Sequence, residues 1–505
     1  MEKIGIIDLG SNTARLVLVN VLDSGNFMVF DELKENVRLG QDMKDGILQR
    51  HRIDQTIKTL KMFKRLCDAN GVTNIIAFTT SAVRKAKNQK GFLNEVLTLV
   101  GIDMKVLSRE EECILAYEGV INSMDISKGL IMDIGGGSTQ LIYYNRRNII
   151  ASEVIPFGAV SLLDKFKEEN LTPEERSRKI EELFAEYLSS YAWMSEMDPE
   201  TRFIGVGGNF RNLGKISRIV SRYPFDMAHN YCFPTTQFNT IYDTLKGLDI
   251  DKTSKIKGLS RGRADIFPVA LSAIKAVVDH CSFQNITIST SGIREGTMFR
   301  YAVPTTQEKP ISDVLGFSIY GLLRFYKMNI PHAEQVYSLS LQLFKQLKVL
   351  HKLPRIYAKI LKTASLLHDT GTSIKYYQHE KHSSYIILNS SLYGISHKDI
   401  IMAAFIAAAQ KTGDPFIPEF DRYKSMFTLE ELDAIFKLGV ILKIAESFDR
   451  SEGALIKNIT CDVLGASVIL QTETVEGADI SLEIQDAMMC SGEFLKAFKK
   501  TLVIL

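Results

Sequence analysis

Much that would announce a function is missing from this chain of 505 residues. Its six cysteines (Cys67, Cys113, Cys232, Cys281, Cys461, Cys490) are scattered, with no C-x-x-C pair. That argues against a zinc ribbon and against a disulfide framework, and fits a reducing compartment. Charge of one sign is not in excess either: the formal net charge is +2, so no electrostatic argument points to nucleic acid. The longest apolar run, "IIMAAFIAAA" at 400–409, is too short to span a bilayer and reads as a buried helix. The first residues lead directly into a strand with no signal-peptide core, and no segment is of low complexity. The expectation is a cytoplasmic protein with neither nucleic acid nor membrane as partner. Two nucleotide signatures also fail. "NFRNLGKI" at 209–216 has Asn209 for the first P-loop glycine and Ile216 for its Ser/Thr, and "GVGGNF" at 205–210 ends in Phe210 where a dinucleotide fingerprint needs glycine.

What is present is an ordinary globular composition, 45% apolar and 24% charged, in a length that suggests three or four domains at about 150 residues each. From 1 to 125, strands alternate with helices, the α/β pattern: strand–turn–strand, a third strand near "FMVFDELK", a helix over 53–70 ending at Asn70-Gly71, a buried strand "NIIAFTTSAVR" running into a loop, a helix over 90–99 and a strand "KVLS". "SREEECILAYEGVIN" then reads as a helix with Ser108 as N-cap and Glu111 closing a capping box. The theme repeats over 126–305, with helices expected over 158–168, 173–197 and 266–279. Residues 311–455 are helix-periodic throughout, an all-α domain, and 456–505 reads as a small α+β unit whose last helix is "GEFLKAFKKTL".

The repeat is most explicit in two turns. "IIDLGSNTARLVLVN" at 6–20 and "LIMDIGGGSTQLIYY" at 130–144 fall in step, with Asp8 on Asp133, Gly10 on Gly135, Thr13 on Ser138 and Leu16 on Leu141. Backbone N–H groups in such a turn converge on an anion, and glycine lets a phosphate come close. An aspartate just before the turn suits a metal that bridges phosphate oxygens, or the positioning of a water. Ser11, Asn12, Thr13, Ser138 and Thr139 add neutral donors. The plain alternative is a pair of hairpins with glycine bends. Two aligned copies, one heading each half, argue against that.

The paired loops resemble the phosphate loops of the actin and sugar-kinase superfamily. More closely, "DLGSNTARL", "DIGGGSTQL", "TTSAVR", "REEECILAYEGV", "GRADIFP" and "SGIREG", in order over nearly all of 1–305, resemble the exopolyphosphatase / guanosine pentaphosphate phosphohydrolase (Ppx/GppA) family. That resemblance implies two actin-like (ribonuclease H-like) α/β domains, 1–125 and 126–305, then an HD-like helical domain and the small C-terminal unit. It implies a phosphoanhydride hydrolase acting on inorganic polyphosphate or guanosine pentaphosphate with Mg²⁺ or Mn²⁺, and a homodimer. Glu112 is then the expected base and Arg84 an arginine facing phosphate. Asp133, with Asp8, is the expected magnesium-associated pair. Gly135, Gly136, Gly137, Ser138 and Thr139 are expected to cradle phosphate together with the first loop. A third loop is expected from Gly207, Gly208 and Asn209, where the family more often has threonine at 209. Arg263 is expected to serve a longer chain, or the helix packing around Asp265.

The match is incomplete at one point. Where the family usually reads GGGSTE, this chain has Gln140, which accepts a hydrogen bond but carries no charge. Metal affinity and rate are thereby in question, and a (p)ppGpp- or polyphosphate-binding sensor with weak turnover stays open. In the helical domain, His332, His368, Asp369 and Asp449 follow the ligand order of metal-dependent HD phosphohydrolases, which implies a second divalent metal. His379 and His382 are expected to line the same cleft. Gln410 stands where many relatives have histidine, which counts against a second active centre. The competing reading makes this domain a dimer interface and a basic wall.

Overall fold

The computed structural model describes residues 1–167, 171–304, 310–412 and 420–505, and the side chains of 410–412 are not among them, so the expectation at Gln410 lies outside the described residues. The chain divides into two compact units, Met1–Val314 and Leu315–Leu505. No described helix is long and apolar enough to cross a membrane.

The first unit holds two sheets built on one plan. Strands β1 (Glu2–Leu9), β2 (Ala14–Val21), β3 (Phe27–Glu35), β4 (Asn74–Thr79) and β5 (Met104–Val106) lie in the order β3-β2-β1-β4-β5. The second sheet uses β6 (Lys128–Ile134), β7 (Thr139–Asn145), β8 (Asn148–Ile155), β9 (Arg202–Val206), β10 (Tyr231–Pro234) and β11 (Asn285–Ile288), in the order β10-β11-β9-β6-β7-β8. Without the added edge strand β10 the two orders coincide. Each sheet begins as an antiparallel meander of three strands, and each first strand pairs in parallel with its fourth. Strands such as β1, with Ile4, Ile6, Ile7 and Leu9 fully buried, are apolar on both faces because helices cover both.

One helix belongs to both sheets. Helix Arg109–Ile121 sends Leu115 into the core of the first sheet, beside Ile4, Ile6 and Val17, and Cys113, Ala116 and Val120 into the core of the second, beside Ile131, Ile142 and Ile204. It begins with the expected capping box, the Ser108 hydroxyl accepting from the Glu111 N–H and the Glu111 carboxylate accepting from the Ser108 N–H. Helix Ile293–Ala302 crosses it so closely that a Cβ on Gly296 would lie 1.9 Å from the Leu115 carbonyl oxygen, and one on Gly119 2.2 Å from that of Gly292. Gly119 of "AYEGV" and Gly296, the second glycine of "SGIREG", are therefore explained by backbone contact.

Several expected boundaries move. The helix read over 53–70 spans Arg50–Ala69, with Gly71 at φ +68° just beyond it. The segment after β4 is a short helix, Ser81–Lys85, and not a loop. The helix read over 173–197 stops at Ser190 and is followed by a separate turn at Ala192–Met194, and that read over 158–168 spans Ala159–Lys165.

The second unit packs helices including Ile330–Gln346, Tyr357–Leu367, His379–Asn389, His397–Thr412 and Leu429–Ser447 around Leu366, Phe405, Ile441 and similar side chains. It ends in a three-stranded sheet of β12 (Ile456–Leu464), β13 (Ser467–Thr474) and β14 (Thr501–Ile504), in that order. The last helix ends at Phe498, because Lys499 turns left-handed at φ +56°, so "TLVI" is a strand and not the end of that helix.

Candidate active site

The two aspartate turns are the same object. In each, the first glycine's N–H donates to a carbonyl three residues on, Gly10 to Thr13 and Gly135 to Ser138, both at 3.0 Å. The strand register is also shared: Asp8 stands opposite Arg15 across β1–β2, and Asp133 opposite Gln140 across β6–β7. They are hairpins with glycine bends, as the plain alternative held, and the two bends face each other. Ser11 bonds Ser81 at 2.9 Å, and a Cβ on Gly136 would lie 3.0 Å from the Ser11 Cβ. Between them is a cavity of about 170 Å³.

Of the residues singled out in the sequence, Asp8, Gly10, Ser11, Asn12 and Thr13 line the cavity on one side, and Asp133, Gly135, Gly136 and Ser138 on the other. Glu112, Gly207, Gly208 and Arg263 complete the set. Gly207 begins helix Gly207–Val220 at φ +89°, and a Cβ there would meet an Asp133 carboxylate oxygen at 2.5 Å, so only glycine lets this helix N-terminus, an anion-favouring end, approach the aspartate.

Four others lie behind the wall. Thr139 is fully buried and donates to the Phe157 carbonyl at 2.8 Å, which makes it a fastener of the loop rather than a phosphate donor. Asn209 is buried, donates to the Ile134 carbonyl at 3.0 Å and accepts from Arg263 at 3.0 Å, so it holds the arginine that lines the cavity. Gly137 packs on Ser81 and its carbonyl accepts from Lys85 at 3.2 Å. Arg84 does not line the cavity. Its guanidinium donates to the Leu107 carbonyl at 2.7 Å and to Glu112 at 2.5 Å, which makes it the partner of the expected base. Arg263, for its part, stacks on Gly208 and reaches the cavity, with Asp265 taken instead by Arg38 at 3.3 Å.

The electrostatics of the pocket are unusual. Glu112 is 4% exposed, and burial raises its carboxyl to about 7 against the pull of Arg84. Asp133 is raised to about 6, chiefly by desolvation, with the nearby Asp8 adding to it against Arg211 and Arg263; its accessible surface faces the cavity rather than open solvent. Asp8 is raised as well, again by burial, against Arg294 and Arg15.

Sequence reading passed over much of the cation lining. Arg15 and Arg211 line the cavity, and Arg211 is lowered to about 10 by burial and by the neighbouring Arg15, Arg294 and Arg263. Arg15 and Lys34 stand opposite each other across β2–β3, an arrangement of like charges that a sheet disfavours, and Lys34 is lowered to about 8 by burial and by Arg15, Arg263 and Arg211. A signal existed for both arginines. Arg15 must sit across from Asp8 once the hairpin is drawn, and Arg211 follows Gly207 by four residues, hence on the same helix face.

Crowded cations call for an anion, and crowded carboxylates for a cation. The donors present fit a hard divalent ion. Asp133 and Asp8 offer carboxylate oxygens whose ionisation burial opposes, and the Gln140 amide oxygen beside them is buried without a hydrogen-bond partner. Asn12 Nδ2 and Thr13 Oγ1 are also buried without partners in the same lining, free to donate to a bound phosphate.

In the second unit, His332, Asp369 and Asp449 line a separate cavity of about 330 Å³ together with His379, and the fully buried His368 stands against Asp369. Asp449 does not face the others as a fourth ligand would. One of its oxygens is 2.8 Å from His332 Nδ1 and the other accepts from the Ala454 N–H, so it sits behind the imidazole. His382 does not line this cavity.

The sequence matches the model of the Ppx/GppA phosphatase family over residues 18–303, and that of Ppx/GppA phosphatase domain III over 316–479. A guanosine-5'-triphosphate,3'-diphosphate pyrophosphatase of Pseudoalteromonas atlantica is 25% identical over 456 residues, covering 88% of this chain and 86% of that one. Among solved structures, the Aquifex aeolicus member of the Ppx/GppA family is 26% identical with a TM-score of 0.52, over 61% of this chain and 99% of its own. An exopolyphosphatase from Cytophaga hutchinsonii is 27% identical with a TM-score of 0.54, over 59% and 98%. The cleft between two sheets of actin-like plan thus has its kin: this chain belongs to the Ppx/GppA phosphatase family, the phosphoanhydride hydrolases.

Proposed function

We propose that the protein releases terminal orthophosphate from inorganic polyphosphate by attack of water, with Glu112 as general base. The observation that carries this reading is Glu112 itself, buried at the cavity wall, raised to about 7 and held by Arg84. A base works best with a pKa near the operating pH. The ionised carboxylate takes the proton of a water directed at the terminal phosphorus, and the bridging oxygen leaves with the remaining chain. Arg15, Arg211 and Arg263 bind the negative charge along the cavity, and Asn12, Thr13 and the glycine-loop amides donate to phosphoryl oxygens. Asp133, Asp8 and the Gln140 oxygen are the residues that would hold Mg²⁺ (or Mn²⁺), which when bound neutralises charge on the phosphoryl oxygens.

Guanosine pentaphosphate is the second reading, favoured by the name of the Pseudoalteromonas atlantica relative. The chemistry is the same and only the leaving group differs. Gln140 keeps a third in view, tight binding with weak turnover, because a neutral oxygen replaces the family's carboxylate. Single-turnover reaction in ¹⁸O-water separates these. One labelled oxygen per released orthophosphate, from polyphosphate in preference to the nucleotide, is the expected result. Label in the remaining chain, or binding without release, rejects the mechanism.

A further inference from the structure

The two sheets of the first unit share one plan, but they do not line the cleft alike. In the first sheet, Asp8 of β1 stands opposite Arg15 of β2, and Arg15 opposite Lys34 of β3. Partners in an antiparallel ladder share a face, so the three side chains form a row across the sheet. In the second sheet the matching row is Asp133, Gln140 and Val154. That row carries no cation, and Val154 packs against the core that holds Ile142 and Ile204. The repeat is therefore broken in charge. One row leads outward from its aspartate through two cations, and the other does not.

Asp8 and Arg15 line the cavity, and Lys34 lies one strand beyond them. Its strand is the outermost of the sheet and its side chain is exposed. Three arginines of the cavity wall, Arg15, Arg263 and Arg211, bear on its ammonium, against one carboxylate, Glu32. Glu32 is already engaged, accepting from Arg15 at 3.1 Å and from Arg294 at 3.5 Å. Two residues further on, Asn36 meets the turn Arg261–Arg263, where a Cβ on Gly262 would lie 2.8 Å from Asn36 Nδ2. Lys34 thus stands at the lip of the cleft, where segments of both sheets meet. Like charges opposite one another in a sheet are unfavourable, and an anion lying over both removes the cost.

We infer that Lys34 is a distal phosphate subsite: with the reacting end beside Glu112 and Asp133, a polyphosphate chain leaves the cleft over Arg15 and Lys34, across the edge of the first sheet. This rests on the polyphosphate reading above and adds to it the direction of the chain and the length at which the protein feels it. Strands are spaced about 4.8 Å apart, so the row runs about 10 Å from Asp8 to Lys34. A triphosphate seated at the aspartates ends near Arg15, whereas a longer chain reaches Lys34. The subsite therefore favours the polymer.

Equilibrium binding to the full chain tests this, without divalent metal so that turnover does not intervene, and with tripolyphosphate and long-chain polyphosphate as probes. Wild type should bind the long chain more tightly per chain end. Lys34→Gln should weaken the long chain about 2–5-fold, the worth of one exposed charge contact, and tripolyphosphate less. For the long chain, the slope of log Kd against log salt should become shallower by about 0.7, as the loss of one phosphate contact requires. Lys34→Arg keeps the charge and should match wild type in both. Equal weakening of the two probes overturns the proposal, as does an unaltered salt slope. Weakening in Lys34→Arg to the level of Lys34→Gln makes the role one of packing and also overturns it. A long chain bound with the expected signature but never cleaved once Mg²⁺ is added upholds the subsite and rejects the hydrolytic reading instead.

Discussion

Burial lifts the Glu112 carboxyl to about 7, and Arg84 pulls it back. A general base must be ionised, so kcat/KM should fall as pH drops through about 7, and the limb belongs to Glu112. Replacing Arg84 with glutamine removes a charge that favours the carboxylate, so the limb should move to higher pH. A pH–rate profile of wild type and Arg84→Gln checks this: an unmoved limb would mean that Arg84 serves only the fold. At this scale sequence reading was strongest where chemistry is local. The Asp-x-Gly turns and the Ser108–Glu111 capping box follow from neighbours in the chain. It was weakest where a partner arrives by folding. Arg84 was matched to phosphate because its acceptors, Glu112 and the Leu107 carbonyl, come from a segment more than twenty residues away. Asp449 was matched to metal for the same reason, since only the packed helices show its second oxygen turned to Ala454.

The decisive element is helix Arg109–Ile121, gripped by both sheets and crossed by helix Ile293–Ala302. Its apolar residues point several ways, so it lacks a clean amphipathic stripe, and sequence periodicity could not show that it lies between two sheets. The glycines that permit the crossing were visible only as parts of family motifs. Gly296→Ala places a methyl group on the Leu115 carbonyl and should destabilise the first unit by about 1–3 kcal/mol, as overpacking does. Urea unfolding of the variant measures this, and activity should fall with it because the same helix aims Glu112. An unchanged midpoint would show that the crossing is not tight. The errors in element ends have a common cause too. "AFKKTL" keeps helical periodicity past Phe498, and only the left-handed Lys499 and the free edge of β13 convert its end into a strand.

For the whole molecule, a net charge of +2 concealed a cleft lined by three arginines, Arg15, Arg211 and Arg263, beside the carboxylates of Asp8, Glu112 and Asp133. Arg15, Lys34, Arg211 and Arg263 come from four separate segments and are brought together by strand register and a helix N-terminus, which composition does not register. The KM for polyphosphate should therefore rise with ionic strength, as screening weakens the attraction. Lys34, lowered to about 8, loses its charge above that pH, so KM should also rise there, and Lys34→Arg should abolish that part of the pH dependence. A KM indifferent to salt would remove the case for a polyanion. The repeat of strand orders was legible as two matching loops because the loops carry the chemistry. The added edge strand β10 left no such mark in the sequence.

The central claim is that Glu112, in the cleft between the two sheets, activates the attacking water. Its most direct test is orthophosphate release from long-chain polyphosphate with Mg²⁺, measured for wild type, Glu112→Gln and Asp369→Ala. The account predicts that Glu112→Gln loses about 10²–10⁴-fold in kcat while Asp369→Ala keeps wild-type turnover. Loss in Asp369→Ala with Glu112→Gln intact would move the chemistry to the helical unit and contradict the account.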